Sequence, residues 1–407
     1  MDGRVAPAAM PRRVLFYTVN GKGFGHLMRA LAIAGALRRA APDARILFAT
    51  SCEDPGVIWR EGFHYVKMLA PEAQEAHGRG RERHRQLAER MVRATLAAFR
   101  PHVLVVDSFA YGSVGELRRF LGGPWRRVLV SNLFLLQRDV DRYRESVGHY
   151  DVVVFPFDAA EAAGHPALVD LSRPAVFAGP IAGITRDGLL PRDVARAMLG
   201  LPADGPIVLL AAGGGGGASV VPVLARMAAA IPLVPETGFA LLEPPLAREL
   251  PPIPWDADVR VVRRVPIAPC LAAFDAAVTT AGMNSAAELM VAGLPMVWLP
   301  LGSPSHDQGR NVARWTARGI GCRPAGPDAA ALAAAIRHVL DPATAAAMRA
   351  AMAGAAGAGA AGAGAAGDGA ARAAAAILGL EPRPEAEDPD EATVEGGSDA
   401  RRDAEDR

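Results

Sequence analysis

Three glycine-rich stretches carry the residues with the clearest chemical capacity. NGKGFGH (20–26) ends in His26. AAGGGGGAS (211–219) offers Gly213, Gly214 and Gly215. TTAGMNS (279–285) opens a helix that holds one acid, Glu288, among apolar neighbours. Glycine lets a backbone approach a ligand closely, and free N–H groups at a helix start attract an anion or a developing negative charge. Gly23 and Gly25 supply that approach in the first loop, with His26 at its mouth. A catalytic imidazole there competes evenly with the commoner structural role of a lone histidine. The second loop is suited to cradling phosphate through its N–H groups, against the alternative of a plain flexible turn. In the third, Asn284 or Ser285 is expected to cap the helix after Gly282. Glu288 then lies about one turn in, where a carboxylate accepts two hydrogen bonds from a vicinal diol such as a ribose. A capping-box acid paired with Ser285 is the equal alternative.

Two familiar phosphate devices are excluded by the same spacing. A dinucleotide fingerprint needs glycine where His26 stands, and no stretch ends in Gly-Lys-Ser or Gly-Lys-Thr as a P-loop does.

The elements that must position these residues are short β-branched runs alternating with helical patterns. Strands are expected at 14–19, 45–50, 102–110, 127–132 and 151–157, with a helix over 27–40 after the first. The pattern restarts with strands at 207–217, 239–243, 259–265, 276–281 and 295–301. Such alternation predicts parallel, doubly wound sheets whose strands are buried on both faces. Two similar α/β domains result, with a ligand cleft outside the carboxyl ends of the strands. The expected organisation is a flexible N-terminus (1–12), a first domain (13–183), a linker (184–205) and a second domain (206–352). An Ala/Gly-rich helix (353–380), frayed by its glycines, and a disordered acidic tail (381–407) complete it.

A chain of 407 residues with 51% apolar composition suits two packed domains. The formal charge is +1, but residues 381–407 carry eleven acids against four arginines, so +8 remains on the rest. That excess favours anionic ligands and is too diffuse to argue for nucleic acid. Cys52, Cys270 and Cys322 are scattered, with no metal spacing and no even count for disulfides, which favours a reducing cytoplasm. No apolar run is long enough to span a membrane. The segment 77–100 is basic at its start. It reads as a solvated helix with Leu87, Met91 and Leu96 turned inward, ahead of a surface for peripheral contact with an anionic membrane.

AGMNSAAELMVAGLPMVWLPL followed by DQGRNVARW (307–315) resembles the nucleotide-sugar signature of the GT-B glycosyltransferases, nearest to the MurG family with its family 28 C-terminal domain. NGKGFGHLMRALAIAGAL resembles the first loop of that group. The resemblance implies two Rossmann-like domains facing a central cleft, with a nucleotide-sugar donor, UDP-linked by expectation, held by the second. It further implies that Glu288 binds the ribose hydroxyls, that Gly282 and Met283 lie beside the diphosphate with Asn284 also in the donor site, and that Val265 contacts the base through its backbone. Asp307 and Gln308 would read sugar hydroxyls, with Asn311 following. His26 would be the base of an inverting transfer to a hydroxyl on a lipid, glycan or small metabolite, with Asp107 as second candidate, either as base or as partner of His26. Neither metal nor cofactor is implied. Thr280 and Met296, eight positions either side of Glu288, leave no second glutamate of the retaining type. Arg29 departs from the family, which has proline there. It is read either as an acceptor-side cation or as a solvated helix residue. A nucleotide-sugar hydrolase or epimerase, and a non-catalytic binder of the same ligand, remain the competing functions.

Overall fold

The computed structural model describes residues 12–19, 23–70, 80–131, 139–162, 165–168, 171–214, 220–246, 259–301, 308–357 and 368–381. The first domain contains β1 (Arg13–Thr18), α1 (Gly25–Ala40), β2 (Arg45–Thr50), α2 (Gly56–Arg60), β3 (His64–Lys67) and α3 (Arg81–Phe99). It continues through β4 (Val103–Asp107), β5 (Arg126–Val130), α4 (Val140–Val147), β6 (Val152–Phe155) and β7 (Ala175–Phe177). Its strands form one parallel sheet in the order β3-β2-β1-β4-β5-β6-β7. Side-chain alternation explains why each strand reads as an unbroken apolar run. Val14 and Phe16 of β1 pack on the α1 side, while Leu15 and Tyr17 pack on the other, and all four are buried. Strand β3 escaped the sequence pattern because it is an edge strand whose His64, Tyr65 and Lys67 are exposed.

After α5 (Arg192–Leu199) the second domain runs through β8 (Ile207–Ala211), α6 (Val220–Ala230), β9 (Gly238–Leu242), β10 (Val259–Val262) and β11 (Ala276–Thr279). It then adds α7 (Met283–Ala292), β12 (Met296–Trp298), α8 (Gln308–Ala317), α9 (Ala329–Leu340) and α10 (Pro342–Gly357). Its sheet is also parallel, in the order β10-β9-β8-β11-β12. Trp298 closes its core: fully buried, it donates to Ile320 O at 3.0 Å and meets the Trp315 ring at 4.8 Å. The connection is braced by Arg196, buried in α5, which donates to the carbonyls of Ala273, Pro202, Ala203 and Gly205 and to Asp275.

Of the Ala/Gly-rich segment, residues 358–367 lie outside the described residues, and the last described helix is α11 (Gly369–Leu378). It returns to the first domain and lies along α1, burying Ala370, Ala373, Ala374 and Ile377. Gly369 is required there, because a Cβ would sit 2.3 Å from Pro180 O. Arg372 donates to Ala178 O at 2.7 Å, and Arg12 donates to the carbonyls at the helix end. Small side chains let the two helices approach closely, which is how an alanine-rich segment gains a tertiary partner. In helix α3, Leu96 is buried and Met91 packs against the core as expected, with His84, Ala88, Val92 and Thr95 also turned inward, but Leu87 is corrected: it stays 38% exposed. The acidic residues 382–407 lie outside the described residues.

Candidate active site

The carboxyl ends of β1 and β4 set the first half of the site. Their register pairs Thr18 with Asp107. Val103 and Val105 face α1, so strand alternation turns Asp107 the same way, beneath the first turns of α1. His26 and Arg29, three apart on that helix, reach down to meet it. His26 Nδ1 lies 2.6 Å from Asp107 Oδ1. Arg29 donates from Nε to Oδ2 at 2.8 Å and from Nη2 to Oδ1 at 2.6 Å. Ser108 leaves the strand with φ of 65°, a left-handed conformation that costs on the order of 1–2 kcal/mol. The turn brings its hydroxyl within 2.9 Å of Arg29 Nη2 and 2.8 Å of Asp107 Oδ1.

These contacts assign the protons. A nitrogen 2.6 Å from a carboxylate oxygen must carry hydrogen, so Nδ1–H of His26 donates to Asp107. Nε2 then holds the lone pair, and among the described residues it has no hydrogen-bond partner. The imidazole side chain is 18% exposed, with the edge of Phe109 against it at 5.7 Å. Burial alone would raise the Asp107 carboxyl, but the Arg29 guanidinium and the hydrogen bonds from His26 and Arg29 outweigh it and hold Asp107 well below the ordinary carboxylate range. A permanently ionised, doubly held carboxylate is a poor proton acceptor, so of the two roles expected for Asp107 the geometry supports the partner of His26. Arg29 is a second correction. It is 4% exposed, and its fork is spent on Asp107, so it is not a solvated helix residue.

Spacing did not single out Ser108, Phe109 or Glu116. Buried Glu116 gathers the turn after β4 by accepting from Ser113 N, Val114 N and the Tyr17 hydroxyl at 2.9, 2.8 and 2.6 Å. The pattern D-S-F-A-Y at the end of β4 was the available signal.

The second domain supplies the facing half. Gly282 caps α7 with extended φ and ψ, and no side chain caps the helix, which corrects the assignment to Asn284 or Ser285. The Ser285–Glu288 capping box is likewise not formed. Among the described residues no side chain accepts from the first N–H groups of α7. Asn284 instead donates across to Gly25 O in the first domain. Gln308 and Asn311 clamp the residue before the cap: Gln308 Oε1 accepts from Ala281 N at 3.1 Å and Leu301 N at 2.8 Å, and Asn311 Nδ2 donates to Ala281 O at 3.2 Å. The carbonyl of Gln308, expected to read sugar hydroxyls, is therefore committed to the backbone. Gly215 and Asp307 lie outside the described residues.

The two glycine loops meet. Gly213 has φ of 80°, and a Cβ on Gly214 would lie 2.8 Å from Phe24 N. A Cβ on Gly23 or Gly282 would meet nothing within 4 Å, so both turns border open space. Val265, in the turn after β10, packs against the first domain's core cluster. A charge pair between Arg314 of α8 and Glu161 ties the domains elsewhere along their boundary.

Glu288 lies on α7 beside the segment joining the domains. The backbone N–H of Gly183 faces its carboxyl, and a Cβ on Gly183 would approach Oε1 to 3.1 Å. The residue keeps part of its surface, while its carboxyl is buried beside Gly183. Burial pushes it up to about 7, against the weaker lowering by the Gly183 N–H. Among the described residues no cation offsets that desolvation. Thiol chemistry is disfavoured, because burial pushes Cys52 and Cys322 up to about 11.

A cavity of about 520 Å³ opens elsewhere, bounded by Pro206, Thr237, Arg337 and Arg349. It lies at the amino ends of the second sheet, opposite the end where parallel α/β sheets bind ligands.

Two facing parallel sheets, with a glycine loop from each meeting at their carboxyl ends, give this chain the GT-B fold, the architecture of a large group of glycosyltransferases. The glycosyltransferase SnogD from Streptomyces nogalater is similar to it, with 20% identity over 90% of this chain and 99% of that one and a TM-score of 0.58. Spinosyn rhamnosyltransferase SpnG complexed with thymidine diphosphate is 18% identical over 90% of this chain and 99% of that one, with a TM-score of 0.54. MurG of Acinetobacter baumannii is 15% identical over 84% and 94%, with a TM-score of 0.51. No family model matches the chain, and no curated protein does. Likeness at these identities establishes the fold, and function is argued from the site.

Proposed function

We propose that the protein is an inverting glycosyltransferase that moves a sugar from a nucleoside-diphosphate donor, with UDP the expected nucleotide, to a hydroxyl acceptor. The reading is carried by one observation: the imidazole oriented by a buried carboxylate follows Gly25, whose carbonyl accepts from Asn284 in the first turn of α7, a helix start that no side chain caps. His26 Nε2 takes the proton of the acceptor hydroxyl. The acceptor oxygen forms its bond to the anomeric carbon as the bond from that carbon to the diphosphate breaks, with inversion. The electron pair leaves with the nucleoside diphosphate, whose added charge is opposed by the free N–H groups and dipole at the start of α7 rather than by a metal. Glu288 accepts hydrogen bonds from the ribose diol, and Gly213 and Gly214 pass beside the phosphates. Val265 meets the base through its backbone. Gln308 and Asn311 hold the α7 turn, and the Gln308 amide is left to contact the sugar with Asp307. Gly23 and Gly25 border the acceptor side. Peripheral contact with an anionic membrane through α3 remains part of the proposal.

SpnG complexed with thymidine diphosphate supports a nucleotide donor, since its fold is shared. A thermal-shift screen of UDP, dTDP and their sugar conjugates tests this. A ligand at one hundred times its Kd stabilises by about 2.7 kcal/mol, a shift of several degrees. If no nucleotide raises the melting point, the donor reading fails.

A further inference from the structure

We propose that Arg29 is a positioning residue that locks the His26–Asp107 couple in a single hydrogen-bonded form. The role rests on His26 being the base. Arg29 and His26 share the first turns of α1, while Asp107 rises from β4, so a residue of the helix fixes how a residue of the sheet meets its own neighbour. The two donors of the Arg29 fork reach both carboxylate oxygens, at 2.8 and 2.6 Å, and so set the plane of the carboxylate as well as its position. Ser108 closes the ring, taking a hydrogen bond from Arg29 Nη2 at 2.9 Å and giving one to Asp107 Oδ1 at 2.8 Å. With its plane fixed, Oδ1 is held 2.6 Å from His26 Nδ1.

Arg29 also acts on the imidazole directly. Nη2 lies 3.2 Å from Nδ1, and a guanidinium is only a donor. A proton on Nδ1 therefore cannot point at Arg29; within reach are Asp107 Oδ1 at 2.6 Å and the Ser108 hydroxyl oxygen at 3.0 Å, and the nearer, charged carboxylate is the stronger acceptor. The lone pair is then confined to Nε2, the nitrogen left for the acceptor hydroxyl. When Nε2 receives that proton, the trio of His26, Asp107 and Arg29 passes from net zero to +1, while the departing diphosphate gains negative charge.

A lysine at position 29 keeps the cation but presents a single point of charge, which cannot span both oxygens. A methionine removes the cation and leaves the buried carboxylate to rotate or take up a proton. The experiment uses the full chain labelled with 15N-histidine, without any substrate. Two-bond proton–nitrogen spectra report the tautomer of each ring, and His26→Gln assigns the His26 signals. Wild type should show His26 as Nδ1–H alone with a strongly deshielded proton. Arg29→Lys and Arg29→Met should lose that signature, with the tautomer ratio moving about tenfold or more toward Nε2–H. Melting curves recorded alongside show whether each variant is folded. If Arg29→Met does not fold, Arg29→Lys decides alone. A folded Arg29→Lys variant with the wild-type His26 spectrum overturns the proposal, as does an Nε2–H tautomer in wild type. The spectra need no turnover, so this failure is distinct from failure of the reading of His26 as the base, which an unchanged rate in His26→Gln would produce.

Discussion

Glu288 makes donor binding depend on pH, with a sign that can be worked out in advance. In the free protein burial pushes its carboxyl to about 7. Accepting two hydrogen bonds from a ribose diol requires the carboxylate, so the complex favours the ionised form. Binding must then release the proton that Glu288 carries. At pH 8 about a tenth of the free protein holds that proton, and at pH 6 about nine tenths does. The apparent Kd for a nucleoside diphosphate should therefore weaken about tenfold from pH 8 to pH 6, or about 1.4 kcal/mol. Calorimetric titration of UDP in two buffers of different ionisation enthalpy reads both the Kd and the proton count. Release should approach one proton per site at pH 6 and vanish near pH 8. Glu288→Gln should flatten the profile and bind weakly throughout. A flat wild-type profile between pH 6 and 8, in a protein that does bind UDP, would refute the assignment. UDP begins to take up protons itself near pH 6, so uridine serves as the control for the ribose contact alone.

The same group affects stability without ligand. A carboxyl raised on folding favours the native state most below its unfolded pKa, and that contribution is lost as pH rises through about 7. Glu288→Gln should accordingly raise the melting point at pH 8 and leave it unchanged at pH 4. The gain is at most about 3 kcal/mol, and less because part of the residue stays solvated.

His26→Gln should lower turnover by about 10²–10⁴-fold while leaving the Kd for nucleotide unchanged, as read by single-turnover kinetics and calorimetry. Removing residues 382–407 should leave the melting point and activity as they are. Removing residues from 368 onward also strips α11 from α1 and exposes Ala373, Ala374 and Ile377, so this truncation should melt several degrees lower or fail to fold.

Much of the architecture was legible because parallel strands must be buried on both faces. VLFYTV, RILFAT and IVLLA are almost wholly apolar, and β1, β2 and β8 coincide with those runs to within a residue. Where burial is one-sided or absent the pattern fails, as at the edge strand β3 and at Leu87 of α3, which lies outside the buried stripe. The loops were visible through their glycines, but not what each glycine is for. Gly214 is fixed by a backbone 190 residues away, that of Phe24, and no local rule contains that neighbour.

The sequence by itself determined the two sheets, the placement of His26 at the mouth of a strand-to-helix turn, and Glu288 inside an apolar helix, because these follow from local periodicity and from residue type. Tertiary structure alone decided which groups meet. It put Arg29 on Asp107, freed the start of α7 by sending Asn284 across to Gly25, committed the Gln308 carbonyl to the backbone, and gave the alanine-rich α11 a partner in α1. A hydrogen bond needs its partners within about 3 Å in space. Spacing along the chain carries that information only within a helix or strand, and every one of these contacts joins different elements.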